Sequence, residues 1–169
     1  MPASPEDLLA HLAALGLETR TVHHPPVFTV EQSKALRPDL PGGHSKNLFL
    51  APLRGDGPHL LIVLEEDCRL PVNALVRALG APRMAFADAD ALMAHLGVEP
   101  GSVTPFGLVN ARPGTVRVGF DRRLMEDHEW VNFHPLTNSM TTAIRPAGLL
   151  RFLRHLGHAP ESFDPGAIL

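Results

Sequence analysis

Two apolar runs, Leu48–Leu53 and His59–Leu64, flank the stretch Arg54-Gly55-Asp56-Gly57-Pro58, and this pattern constrains the fold more than any other in the chain. It reads as two strands joined by a hairpin, both facing a core. Helical spacing surrounds it. Ser4-Pro5 with Asp7 opens a helix whose apolar face is Leu8, Leu9, Leu12 and Leu15, ended by Gly16. Thr19–His23 alternates as a short strand, Pro25-Pro26 stops any helix, and Thr29-Val30-Glu31-Gln32 offers a capping box for another. Pro71–Leu79 repeats helically before Gly80, Asp88 can cap a helix running to Leu96, and Pro146–Leu156 is amphipathic.

Phe106–Val109, Thr115–Phe120, Trp130–Phe133 and Met140–Ile144 are short β-branched or aromatic segments separated by Gly, Pro, Asn and Asp, and each is expected to be a strand. Six or seven strands with irregularly placed helices lack the βαβ alternation of a doubly wound sheet. The expected fold class is α/β of the α+β type, with a mixed, mainly antiparallel sheet surrounded by helices.

At 169 residues, 44% of them hydrophobic, the chain suits one compact domain over residues 1–169. Cys68 stands alone, which excludes a disulfide framework and a thiol-rich metal site. Met1–Asp7 lacks the pattern of a signal peptide and no run approaches about eighteen apolar residues, so a cytoplasmic protein away from membranes is expected. A net charge of −3 argues against non-specific coating of nucleic acid. Between Arg112 and Arg154, however, seven Arg stand against Asp121, Glu126, Asp127 and Glu129, a local excess that suits either solvated surface or a local polyanion contact.

Three segments can carry chemistry. Lys46, one of two lysines, sits at the entrance of the first apolar strand with Asn47 beside it. A cation there serves either as a solvated strand end or as a group that binds phosphate or steadies an oxyanion. The loop Gly97–Gly107 is stiffened by Pro and can present backbone N–H groups and the hydroxyls of Ser102 and Thr104 to an oxygen ligand, or can simply connect a helix to a strand. His134 ends a strand before a polar turn, where it is a structural hydrogen-bonding partner or a catalyst. Walker, GxGxxG, HExxH, CxxC and GxSxG motifs are absent, and the histidines lack a repeated ligand spacing. No cofactor or metal is expected, and a metal site is left only to long-range convergence.

His24-Pro25-Pro26-Val27-Phe28-Thr29-Val30-Glu31, Lys46-Asn47-Leu48-Phe49-Leu50, Gly101-Ser102-Val103-Thr104-Pro105-Phe106-Gly107-Leu108 and Phe133-His134-Pro135-Leu136-Thr137-Asn138, in that order, resemble the YbaK/prolyl-tRNA-editing superfamily. Within it the chain is similar to the free-standing alanyl-tRNA(Pro) deacylases (ProX/PrdX-like). Ser139-Met140-Thr141-Thr142 departs from the smaller or more β-branched residues of many relatives. The resemblance implies a mixed, mainly antiparallel sheet surrounded by helices and an ester substrate, a small amino acid on the terminal ribose of a mischarged tRNA. It maps the editing pocket onto Lys46 and the Gly101–Pro105 loop, with N–H groups near Gly101 and Ser102 as the oxyanion site. Asn47 and His134 give support, while Val27, Phe28, Thr29, Val103, Thr104, Pro105 and Phe106 contact substrate.

A proline site rejects alanine only by the apolar contacts alanine lacks, about 1–3 kcal/mol, so a second sieve is needed. The implied partners are the tRNA acceptor end and, beyond it, prolyl-tRNA synthetase or an elongation factor. A cysteinyl- or seryl-tRNA deacylase of the same fold, a non-catalytic tRNA- or synthetase-binding module, and a His-dependent metal hydrolase are the alternatives.

Overall fold

A computed structural model describes residues 1–35 and 40–168. The expected hairpin is there: β2 (Gly43–Pro52) pairs antiparallel with β3 (His59–Glu65), in register from Ser45↔Glu65 to Leu50↔Leu60. Leu60, Leu61, Ile62, Val63 and Leu64 expose no surface, because β3 lies between two apolar layers. Leu61 and Val63 join Phe49 in a cluster with α1 (Pro5–Ala14), α4 (Ala89–Leu96) and α6 (Pro146–His155). Leu60, Ile62 and Leu64 point the other way, with Leu50, against Leu75 and Val76 of α3 (Val72–Ala78). A period of two along one strand therefore feeds both cores.

The remaining strands are β1 (Thr19–His23), β4 (Met84–Phe86), β5 (Val116–Asp121), β6 (Val131–Phe133), β7 (Met140–Ile144) and β8 (Glu161–Phe163). The sheet runs β1-β7-β6-β2-β3-β5-β8, with β4 pairing on β2. Pairs β1/β7, β6/β7, β2/β3 and β2/β4 are antiparallel, while β2/β6, β3/β5 and β5/β8 are parallel. The sheet is thus mixed and mainly antiparallel, with helices packed on it, as expected.

The join between β2 and β6 is short, covering only Gly43↔Val131 and His44↔Asn132. It is tight where it exists. Gly43 N donates to Trp130 O at 2.8 Å, and a Cβ on Gly42, which has φ +108°, would lie 2.4 Å from that same carbonyl. Only glycine lets the two strands approach this closely.

Several local expectations need correction. Phe106–Val109 is not a strand but part of a 3-10 helix over Pro105–Asn110. Pro105 occupies its first turn, Thr104 Oγ1 accepts from Phe106 N at 3.2 Å, and Gly107 N donates to Thr104 O at 3.0 Å, so the backbone is satisfied locally and has no need of a ladder. Strand β2 starts at Gly43, ahead of the apolar run, which places Lys46 and Asn47 inside the strand rather than at its entrance. The short elements β4, β8 and α5 (Arg122–Glu126), and the 3-10 turn Pro165–Ala167, had no expectation. No helix among the described residues is long and apolar enough to cross a membrane.

Candidate active site

Strand β2 has β6 beside it at Gly43–His44 and β4 beside it at Leu50–Pro52. Between these, on that side, Ser45–Leu48 pair with no strand among the described residues. Glu66 N donates to His44 O, whereas Gly43 N and Phe49 O bond on the opposite side, to Trp130 and Ala87. The alternation of an antiparallel ladder therefore turns the backbone of Ser45 and Asn47 toward the gap. A cleft of about 270 Å³ opens there.

Its walls come from five places in the sequence. Val27, Phe28 and Thr29 approach from the segment after β1, and Ser33 from the short helix α2 (Val30–Lys34). This wall is fixed at both ends: Thr29 and Gln32 form the expected capping box, and Val27 N donates to Asn138 O while Asn138 Nδ2 donates to Val27 O at 3.1 Å. Ser45, Lys46 and Asn47 form the floor, with Glu66 beside them, and Gly101, Val103 and His134 complete the rim.

Lys46 Nζ donates to the carbonyl of Cys68. That bond uses one of its three protons and holds the ammonium at the wall, leaving two donors. Asn47 Nδ2 donates to Val103 O at 3.1 Å and so ties the loop to the strand. His134 Nδ1 lies 2.9 Å from Met140 O; a carbonyl only accepts, so Nδ1 carries the proton and Nε2 of the neutral ring is an acceptor. Burial lowers the His134 pKa below its ordinary 6.5, against the bond to Met140, and the nearby His24 lowers it further. The turn after it is strained, with Leu136 at φ +68° and its N–H closing back on His134 O at 2.9 Å.

The structure brings together Val27, Phe28, Thr29, Lys46, Asn47, Gly101, Val103 and His134. Ser102, Thr104, Pro105 and Phe106 lie apart from the cleft. Ser102 is 6% exposed and its N–H already donates to Glu99 O at 3.0 Å, so it is not available as an oxyanion donor. Thr104 and Pro105 are buried in the start of the 3-10 helix. Phe106 packs edge-on against Phe133 and Phe152 in the core. Phe28 is at the cleft but 68% exposed, a rim rather than an enclosing wall.

Ser33, Ser45 and Glu66 had not been singled out. Nothing in their local sequence marks them, because their meeting depends on the splay between β2 and β6. A larger hollow of about 500 Å³ lies beyond the Glu65–Leu70 segment, where Arg69 and Arg123 mix with Glu65, Asp67 and Asp127. It contains none of the expected residues. No cluster of three or more His, Cys, Asp or Glu among the described residues is disposed to hold a metal ion.

The sequence pattern of the aminoacyl-tRNA editing domain matches residues 24–152, a span that includes every cleft residue. The chain is 40% identical over 152 residues to prolyl-tRNA synthetase associated domain-containing protein 1 of Bos taurus, covering 88% of each chain. It is 29% identical over 157 residues to the prolyl-tRNA editing protein ProX of Acetoanaerobium sticklandii, covering 93% of this chain and 94% of that one. A solved structure described as a candidate trans-editing enzyme for prolyl tRNA synthetase has the same fold, with a TM-score of 0.70 at 19% identity over 96% of this chain and 97% of that one. With the pattern covering the whole cleft and a relative this similar along nearly the full length, the chain belongs to the aminoacyl-tRNA editing domain family.

Proposed function

We propose that the chain, as a single domain over residues 1–169, hydrolyses the ester of alanyl-tRNA(Pro) in trans, releasing alanine and uncharged tRNA. The observation that carries this reading is the convergence of Lys46, Gly101 and His134 on one cleft. An activated ester needs no Ser or Cys nucleophile if a water is held in line and its oxyanion is met by fixed donors. Water oxygen bonds to the carbonyl carbon, and the charge on the carbonyl oxygen is met by Lys46 Nζ and the Gly101 amide. The carbon–oxygen bond to ribose then breaks, and the proton taken from water passes through His134 Nε2 to the ribose oxygen. Only water is consumed. The adjacent ribose hydroxyl helps to hold the water in line.

Asn47 acts by fixing Val103, and Val27 with Val103 supplies the apolar side of the sieve. The exposed ring of Phe28, set at the mouth, gives the terminal adenine a stacking platform. The partners are the tRNA acceptor end and, through it, prolyl-tRNA synthetase or an elongation factor, with the cytoplasm as the place of action.

The hydroxyls of Ser33 and Ser45 in the wall favour a second reading, a seryl- or cysteinyl-tRNA substrate. A deacylation panel of alanyl-, seryl-, cysteinyl- and prolyl-tRNA tests both. Alanyl-tRNA(Pro) is expected to be cleaved fastest and prolyl-tRNA(Pro) spared. A faster seryl or cysteinyl ester transfers the assignment to that substrate, and cleavage of none leaves a binding module.

A further inference from the structure

Behind the cleft, in the same gap between β2 and β6, lies a second cavity of about 50 Å³. Ser33, Ser45, Asn47 and His134 line both spaces, so the two are neighbours through these four side chains. The inner one is also bounded by Asn132 and Thr141. It has room for a few waters and nothing bulkier.

Asn132 gives this chamber a chemical character. It is 5% exposed, on the short strand β6. Its Nδ2 donates to Pro41 O at 3.0 Å and to Gly43 O at 3.1 Å, and these two carbonyls fix which end of the amide is nitrogen, because a flipped amide would set oxygen against oxygen. Its Oδ1 is buried and accepts no hydrogen bond from any described residue. A buried amide oxygen without a partner is costly, and such groups are ordinarily met by an internal water. The hollow of about 110 Å³ that Asn132 also borders is lined by Val22, Leu40, Pro41, Trp130 and Ala143 with Arg20, whose guanidinium lies over the Trp130 ring at 4.6 Å from its centroid, and so offers such a water few further partners. The polar chamber does.

We propose that this chamber is the water seat of the hydrolytic site and that Asn132 is a positioning residue in it. The inference rests on the deacylase reading given above. Asn132 Oδ1 and His134 Nε2 are both acceptors. A water that donates one proton to each has a lone pair left over, directed away from both and available to a carbonyl carbon in the adjoining cleft. Thr141 Oγ1 is engaged with His24 Nε2 at 2.8 Å, Ser45 Oγ with Asn47 Oδ1 at 3.3 Å and Asn47 Nδ2 with Val103 O at 3.1 Å, and we assign the orienting of the water to the two acceptors Asn132 Oδ1 and His134 Nε2. The step is the hydrolysis already written: oxygen from this water bonds to the carbonyl carbon, the bond to ribose breaks, and the proton held at His134 Nε2 goes to the ribose oxygen. Asn132 exchanges no proton.

The test has two arms. A high-resolution crystal structure of the wild-type protein should show a water within hydrogen-bonding distance of both Asn132 Oδ1 and His134 Nε2. Single-turnover deacylation of alanyl-tRNA(Pro) should fall by about 100-fold in maximal rate for Asn132→Ala, with the concentration giving half-maximal rate unchanged. Because Asn132 also clamps Pro41 and Gly43, that variant can fail to fold. Thr141→Ile fills the chamber from a residue that does not line the cleft and is expected to give the same split. A wild-type chamber without ordered water overturns the proposal, as does a folded variant with wild-type maximal rate or one altered only in half-maximal concentration. If wild-type protein cleaves no ester, the deacylase reading fails, and the crystal structure still tells whether the water is there.

Discussion

Lys46 is held at its Nζ by the Cys68 carbonyl, so its charge is placed before substrate arrives. Lys46→Ala should therefore preserve the fold and lower alanyl-tRNA(Pro) deacylation by about 100-fold or more; near-normal turnover in the folded variant would remove it from the mechanism. His134 gives a pH signature of definite sign. Its folded-state pKa is depressed below 6.5, burial being the main cause, and His59 is depressed in the same direction, by desolvation first and then by His95, whose ring centroid is 4.1 Å away. The unfolded rings bind protons more readily, so the stabilisation is fully present above 6.5 and is lost as pH falls through the lowered values. Melting temperature should drop on acidification in that window, and less so in His134→Gln. Turnover should fall as pH drops through the lowered folded-state value of His134, since protonated Nε2 cannot accept from water, and a rate profile that stays flat until the protein unfolds would contradict the role. Val103 speaks to size. It is a part-buried side chain that also lines the cleft, and overpacking such a wall by a larger aminoacyl group costs about 1–3 kcal/mol. Val103→Ala should raise hydrolysis of larger aminoacyl-tRNA(Pro) relative to alanyl-tRNA(Pro), measured as a ratio of rates; an unchanged ratio would leave the sieve to the backbone.

Among the elements, the loop from Gly97 to Val103 is the most exacting. Gly101 has φ +92°, and a Cβ there would lie 3.3 Å from the Phe28 ring. Gly101→Ala should thus strain the turn by about 1–2 kcal/mol, displace the ring and cost most of the deacylation. Ser102→Ala, with its hydroxyl buried and its amide already spent on Glu99, should stay within a few-fold of wild type. The reverse order would mean that the hydroxyl acts directly. Elements with strong local signals could be read from the sequence: the helix start at Ser4-Pro5, the Thr29 capping box, the β2/β3 hairpin, and α4 from its Asp88 cap to Gly97. The stretch Phe106–Val109 misled because Phe and Val favour strands, while Thr104 and Pro105 just before it set a helical turn. Strands β4 and β8, at three residues each, are too short to show a period. Lys46, Asn47, Gly101 and His134 were visible as motifs. Glu66, Ser33 and Asn132 were not, because their meaning lies in a gap between strands that no local window contains.

At the scale of the whole molecule, the sheet has two wings that meet along a narrow seam. One wing is β1, β7 and β6; the other is built on the β2/β3 hairpin with β5 and β8. Gly43 and His44 bond to Val131 and Asn132 across that seam, and the cleft and its inner chamber both open where the bonding ends. The β2/β3 hairpin and the β6/β7 pair close over short stretches of chain, whereas the seam, like the β1/β7 and β3/β5 pairs, joins residues far apart in sequence, and contacts of that kind are slow to form. The cleft and the proposed catalytic groups around it should therefore be among the last things to assemble during refolding. In a stopped-flow experiment from denaturant, far-ultraviolet circular dichroism should recover before deacylase activity does, and recovery of both in one phase would refute this order. A newly made chain would then pass through a stage in which it already has its helices and its local strand pairs and yet lacks its cleft.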